Sequence, residues 1–137
     1  MKISTRGRYS LRLMIDLAMQ PENEFIALND IAKRQDISKK YLEQIVPFLN
    51  RGGLLIANKG HLGGYRLAKA PSDINVKEIL LSAEGSLAPV SCMDNTPNIC
   101  EKCDDCLTLP IYQGLDKVID EYLSGITLQA IIDKNVV

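Results

Sequence analysis

A single histidine, His61, is all the imidazole that this chain carries. No Ser/His/acid or paired-carboxylate constellation accompanies it, so an enzyme built on general acid–base chemistry is not expected. Nowhere does an apolar run approach the roughly 18 residues that span a bilayer. The first twenty residues lack a signal-peptide core as well, because Lys2, Arg6, Arg8, Arg12 and Asp16 interrupt it. A cytoplasmic protein without a membrane partner is the expectation. Internal repeats and low-complexity tracts are missing. The glycine-rich stretch at 59–65 lacks the G-x-G-x-x-G order, and no helix follows it, so it is not a dinucleotide site. Cysteine is confined to one place: all four lie within fifteen residues, at Cys92, Cys100, Cys103 and Cys106. In a reducing compartment such clustering favours metal or redox chemistry over a disulfide framework.

What is present suits one domain with a helical appendage. The 137 residues are 46% hydrophobic and 24% charged, ordinary for a globular protein that builds its own core. The net charge of −1 conceals a split: residues 1–70 sum to +6 and residues 71–137 to −7. A basic half of this kind suggests a polyanionic partner.

Apolar periodicity predicts helices over 5–19, 28–35, 39–50, 76–83 and 110–123, with a short last one running to about 133. Ser4 or Thr5, Ser38 and Thr127 are candidate N-caps, and Asn75 with Glu78 reads as a capping box. Asp36 and Ile37 break the second helix from the third, Pro47 is expected to kink the third, and Gly52-Gly53 stops it. Two short strands, 54–58 and 64–67, flank the loop 59–63 as a hairpin. The segment 92–106 has no periodicity and reads as irregular.

Helix, helix, tight turn, helix and hairpin is the order of a winged helix-turn-helix. A helix fits the major groove and presents side chains to base edges. On the outer face of helix 39–50, Lys39 and Lys40 are placed to neutralise phosphates or donate to guanine. Gln44 suits adenine and Glu43 a cytosine amino group, and Ser38, the N-cap, joins this set. Lys59 and Gly60 would form the wing, with His61 beside them, and Arg6, Arg8 and Arg51 could add phosphate contacts. The fold class expected is mainly α with a small β-hairpin. A DNA-binding domain would occupy 1–85, and a cysteine loop with a long helix 86–137. That helix carries Ile111, Leu115, Val118, Ile119 and Tyr122 in one stripe, which could pack on the first helix or on a second subunit. A symmetric dimer would meet a palindromic operator with half-sites about 34–36 Å apart.

The spacing C-x₇-C-x₂-C-x₂-C resembles part of a ferredoxin iron–sulfur run more than the separated pairs of a zinc site. Zinc, thiol–disulfide exchange at 100–103 or 103–106, and inert thiols are the alternatives. Asp94, Glu101, Asp104 and Asp105 crowd these cysteines, which should disfavour the thiolate and keep the loop off DNA.

The runs MKISTRGRY at 1–9, ISKKYLEQ at 37–44 and KGHLGGY at 59–65, with ITL at 126–128 after the long helix, resemble the IscR/NsrR/CymR winged-helix repressors. The similarity covers nearly the whole chain. Members of that family are dimeric bacterial transcription factors, and many hold a [2Fe–2S] or [4Fe–4S] cluster in the loop before the dimerisation helix. The resemblance implies that Tyr41, Glu43 and Gln44 lie on the recognition helix and Lys59 in the wing. It matches Cys92, Cys100 and Cys106 to the cluster ligands, with Cys103 as candidate fourth. The chain departs from the pattern at Leu109, where IscR-like members place a ligand histidine. It departs again at 6–8, where NsrR-like members can recruit an acidic residue. CymR-like members lack the cluster and respond through a partner enzyme, which makes a metal-free, partner-regulated repressor of cysteine metabolism the alternative.

Overall fold

The computed structural model describes residues 2–94 and 104–136. Helix α1 spans Thr5–Ala18, and its N-cap Ser4 accepts from the Gly7 N–H at 3.1 Å. Its apolar positions Leu13, Met14 and Leu17 are buried. Helix α2 (Leu28–Gln35) ends at Asp36, whose φ of 52° is left-handed, a conformation Asp tolerates better than most residues. Ile37 is buried directly after it, and Ser38 then caps α3 (Lys39–Arg51) by accepting from Tyr41 N–H at 3.1 Å. These residues make the turn between the two helices. Helix α3 runs through Pro47 to Arg51 without interruption, although the proline predicts a change of geometry there. Leu42, Ile45, Val46 and Leu49 on its inner face are buried, so burial holds the last turn that Pro47 leaves one hydrogen bond short.

Strands β1 (Leu55–Ala57) and β2 (Tyr65–Leu67) pair antiparallel, Ile56 opposite Arg66. Ile26 adds a one-residue third rung, its N–H and C=O bonding to Tyr65 at 2.8 and 2.9 Å. The hairpin is thereby fastened to the segment between α1 and α2. Helix α4 (Val76–Glu84) starts at the capping box that its sequence announces, with Asn75 and Glu78 bonded reciprocally at 2.9 Å.

Helix α5 (Leu109–Ser124) runs back along α4, and Lys77 pairs with Asp120. Helix α6 (Leu128–Ile132), capped by Thr127, returns the chain to the start of α4: Leu128 N–H bonds to Ile74 O at 3.0 Å. One core gathers α1 to α4, the hairpin and Leu128. Helix α5 stands largely outside it. Leu109 is buried and Ile119 half-buried, but Ile111 is 66% exposed, Val118 61% and Tyr122 53%, with Leu115 beside them at 39%. Ile111, Leu115, Val118 and Tyr122 therefore stand open to solvent. No helix among the described residues is long and apolar enough to cross a membrane.

One ion pair inside the fold has no local signature in the sequence. Asp16, 3% exposed, accepts from Arg34 Nη2 at 2.7 Å, Arg34 Nε at 3.1 Å and Gln35 Nε2 at 2.9 Å. This fork fixes α2 across α1 and so sets where α3 begins.

Candidate functional site

The outer face of α3 presents Lys39, Lys40, Glu43 and Gln44, all exposed, with Ser38 at its head. Lys39 and Glu43 face each other across one turn at 4.0 Å, an open pair that contributes little to stability. Both side chains stay available to a partner. Tyr41 is half-buried instead, its ring edge-on to Tyr9 at 5.5 Å, with the Arg12 guanidinium 5.3 Å from the Tyr9 centroid. Tyr41 thus ties the head of α3 to α1.

In the wing, Lys59, Gly60 and His61 are exposed, and Asn58 Oδ1 accepts from Gly60 N–H at 2.9 Å. Arg8 is exposed and donates to Thr5 Oγ1 at 3.1 Å. Arg6 is half-buried, and its Nε donates to Ala83 O at 2.7 Å. The Arg6 guanidinium lies 4.2 Å from the Phe48 ring centroid, and Arg51 lies 4.6 Å from the same ring. Phe48 is a platform that orients two cations at the tail of α3, worth about 0.5–1 kcal/mol per contact when exposed. The i, i+3 spacing of Phe48 and Arg51 is visible in the sequence; the approach of Arg6 from α1 is not.

Around Phe48 three helix ends meet. Glu84, the last residue of α4, receives the Ser4 N–H at 3.0 Å and the Ser4 hydroxyl at 2.6 Å. Its carboxylate therefore sits at the N-terminus of α1, where the helix dipole favours negative charge. Gly7 leaves the space this requires, since a Cβ there would collide with Glu84 Oε1. Gly52, at the end of α3, likewise makes room for Ser82 of α4. The ends of α1, α3 and α4 form one latch, and the cysteine-bearing segment leaves from it at Gly85.

Of that segment, Cys100, Cys103 and Glu101 lie outside the described residues. Cys92 sits in a short 3₁₀ turn (Ser91–Met93), half-buried, and Ser86 Oγ donates to Asp94 Oδ1 at 2.6 Å across the loop before it. Cys106 is half-buried beside the start of α5, its sulfur 3.3 Å from Thr108 Oγ1. Both thiols are free of disulfides.

Carboxylate neighbours favour the neutral thiol, but for Cys106 the balance goes the other way. The Thr108 hydroxyl, then the backbone N–H groups of Thr108 and Leu109, hold this thiol below its ordinary range. Asp104 and Asp105 are exposed, and water screens their field. Thr108 makes no cap hydrogen bond to α5, its hydroxyl being engaged with the sulfur. Among the described residues no set of three His, Cys, Asp or Glu could hold a metal ion. Leu109 is buried and offers no donor, whereas His61 is exposed in the wing.

Known proteins and structures are similar to this chain over nearly its whole length. A family model described as Rrf2, iron-dependent transcriptional regulator, matches residues 3–134. Protein rrf2 of Nitratidesulfovibrio vulgaris is 37% identical over 128 residues, 93% of this chain and 85% of that protein. The structure of T. potens IscR, 35% identical, superposes with a TM-score of 0.77 over 98% of this chain and 88% of that one. CymR (YrzC), the global cysteine regulator of B. subtilis, is 32% identical with a TM-score of 0.73 over 98% of both chains.

Proposed function

We propose, since this chain belongs to the Rrf2 family of transcriptional regulators, that it is a dimeric repressor whose affinity for DNA follows an iron–sulfur cluster held by its cysteines. Helix α3 enters the major groove. Lys39 and Lys40 neutralise phosphates there, and Arg8 and the Phe48-borne pair Arg6 and Arg51 do so around it. Glu43 and Gln44 read base edges, accepting from cytosine and pairing with adenine. Lys59, Gly60 and His61 approach the neighbouring groove. The support is the exposure of Lys39, Lys40, Glu43 and Gln44 on a fixed helix in the basic half of the chain.

A second copy covers the apolar face of α5. Ile111, Leu115, Val118 and Tyr122 recur at intervals of four, three and four, the seam that a helix buries against another helix. Two copies related by a twofold axis then meet two half-sites of a palindrome.

The residues fit the cofactor in chemistry. Cys92 and Cys106 are free thiols, and Cys106 is biased toward the thiolate, the form that ligates iron. Cys92, Cys100 and Cys106 would hold the group, with Cys103 as the fourth ligand. When bound, it supplies a redox- and nitric-oxide-sensitive centre. The chain's own part is to pass on the difference. The segment bearing the cysteines leaves the latch at Gly85, and the same latch holds Arg6 against Phe48 on α3. A change in how the segment is anchored alters the pose of α3, which is what a ligand needs to change DNA affinity. That adjacency of latch and cysteine segment is the observation that carries this reading. The test is a titration of one anaerobic preparation against a duplex chosen by the chain from a random library, before and after iron removal. A change in affinity supports the proposal, and equal affinities reject it.

A second reading has a specific support in the similarity to CymR: a metal-free repressor controlled by a protein partner. It requires that Cys92→Ala, Cys100→Ala and Cys106→Ala leave regulation intact, whereas the leading reading requires that each abolish it.

A further inference from the structure

The tip of the hairpin carries an apolar side chain that the proposed DNA contacts leave unused. Leu62 is 88% exposed and belongs neither to the core nor to the apolar residues packed against it. We infer that Leu62 is an apolar wedge that enters the minor groove beside the recognition helix and bends the duplex. The inference rests on the DNA-binding reading and adds a deformation of the DNA to it.

The geometry of the loop is the first reason. Asn58 N–H bonds to Gly64 O at 2.9 Å, Gly60 N–H to Asn58 Oδ1 at 2.9 Å, and Gly63 N–H to Gly60 O at 3.1 Å. Gly63 and Gly64 have φ of 64° and 104°, conformations that side-chain-bearing residues rarely adopt. At Gly64 a Cβ would stand 3.0 Å from the Ile26 carbonyl oxygen, so the loop is pressed against the extra rung of the sheet. The tip is therefore built in advance, and the leucine is held away from the protein on a stiff base. A preorganised group loses little freedom on binding.

The surroundings are the second reason. Loop 58–64 contains no acidic residue, and Lys59 and His61 stand exposed on the same tip. An apolar side chain on the same tip as an exposed cation and an exposed imidazole is suited to a groove walled by phosphate and floored by stacked bases. Leucine is among the residues that minor-groove proteins insert between base steps, kinking the duplex by about 20–90°. A second leucine of comparable exposure, Leu107 at 92%, makes the contrast. It follows Asp104 and Asp105, a setting that repels DNA. Exposure alone would not separate the two leucines; the charge around them does.

The test uses the full chain and the duplex it selects from a random-sequence library, with dyes on the two DNA ends to read the bend and anisotropy to read affinity. Wild type bends the duplex. Leu62→Ala and Leu62→Gly bind about tenfold more weakly, in keeping with the apolar area that the truncated side chain no longer buries. They remove most of the bend and leave the slope of affinity against salt unchanged, because every phosphate partner remains. Leu62→Met keeps both affinity and bend. The inference is overturned if Leu62→Ala binds and bends as wild type does, or if wild type binds without bending. A chain that selects no duplex at all overturns the DNA-binding reading beneath it.

Discussion

Replacing Gly7 by alanine should destabilise the protein, and the same change should stabilise it once Glu84 is gone. The cause lies in the Glu84 carboxylate, which accepts from the Ser4 N–H at 3.0 Å and the Ser4 hydroxyl at 2.6 Å. Hydrogen bonds to a charged group contribute roughly 1.5–3 kcal/mol each when shielded, and partial exposure brings this pair to about 2 kcal/mol in all. A methyl group at Gly7 collides with Glu84 Oε1, the movable end of a side chain. The carboxylate can swing away, but only by giving up Ser4. Against that cost stands the helix preference for alanine over glycine, about 0.8–1 kcal/mol. The net for Gly7→Ala is therefore a destabilisation of about 1 kcal/mol, or roughly 3 °C in Tm for a chain of this size. In the Glu84→Ala background the collision has no counterpart, Ile3 is exposed and free to move, and the propensity gain remains. There Gly7→Ala should stabilise by about 0.5–1 kcal/mol. Thermal and urea unfolding of the four proteins, followed by circular dichroism, measures the cycle. An effect of the same sign and size in both backgrounds would refute the latch as the link between α1 and α4.

Other perturbations address the remaining parts. Lys39→Ala and Lys59→Ala should weaken binding to all duplexes alike and each lower the salt slope by about one, as removal of a phosphate partner does; a weakening confined to one sequence would say that they read bases. Val118→Glu should turn the chain into a folded monomer with far weaker operator binding, seen by sedimentation; an unchanged dimer would show that α5 is not the seam. For Glu78, burial raises the carboxyl pKa, but the Asn75 N–H and the Lys69 ammonium outweigh it and the net shift is below the ordinary value. Its contribution to stability is then complete above the ordinary glutamate range and lost as pH falls through the lower folded value, so Glu78→Gln should flatten the acid limb of the stability curve. An acid limb identical in that variant would show that the capping box carries no charge-dependent stability.

Local signals are the legible part of this fold. Ser38, Thr127 and the Asn75–Glu78 pair each act within three residues of themselves, and each caps the helix that its position announces. The stripe on α5 is legible too, but not what it faces, because periodicity marks an apolar side without naming its partner. Long-range contacts stay hidden. Ile26 lies between the first two helices with no strand signal around it, and only the fold brings it to Tyr65. Asp16 looks like an interruption in an apolar helix until Arg34 and Gln35 close on it. Glu84 and Ser4 are eighty residues apart. In the candidate site, the exposed row on α3 can be read from helical spacing, whereas the Phe48 platform needs Arg6 from another helix. At Cys106 the sequence suggests an acidic environment, and the nearer hydroxyl and amide donors decide the outcome instead.

The proposed regulation turns on whether the four cysteines hold iron and sulfide. The visible absorption spectrum of the chain purified without oxygen, with iron and sulfide assayed on the same sample, decides it. Broad thiolate-to-iron absorption should accompany stoichiometric iron and sulfide and disappear in Cys106→Ala. A colourless, iron-free protein with a native fold and undiminished affinity for DNA would show that no cluster governs this chain.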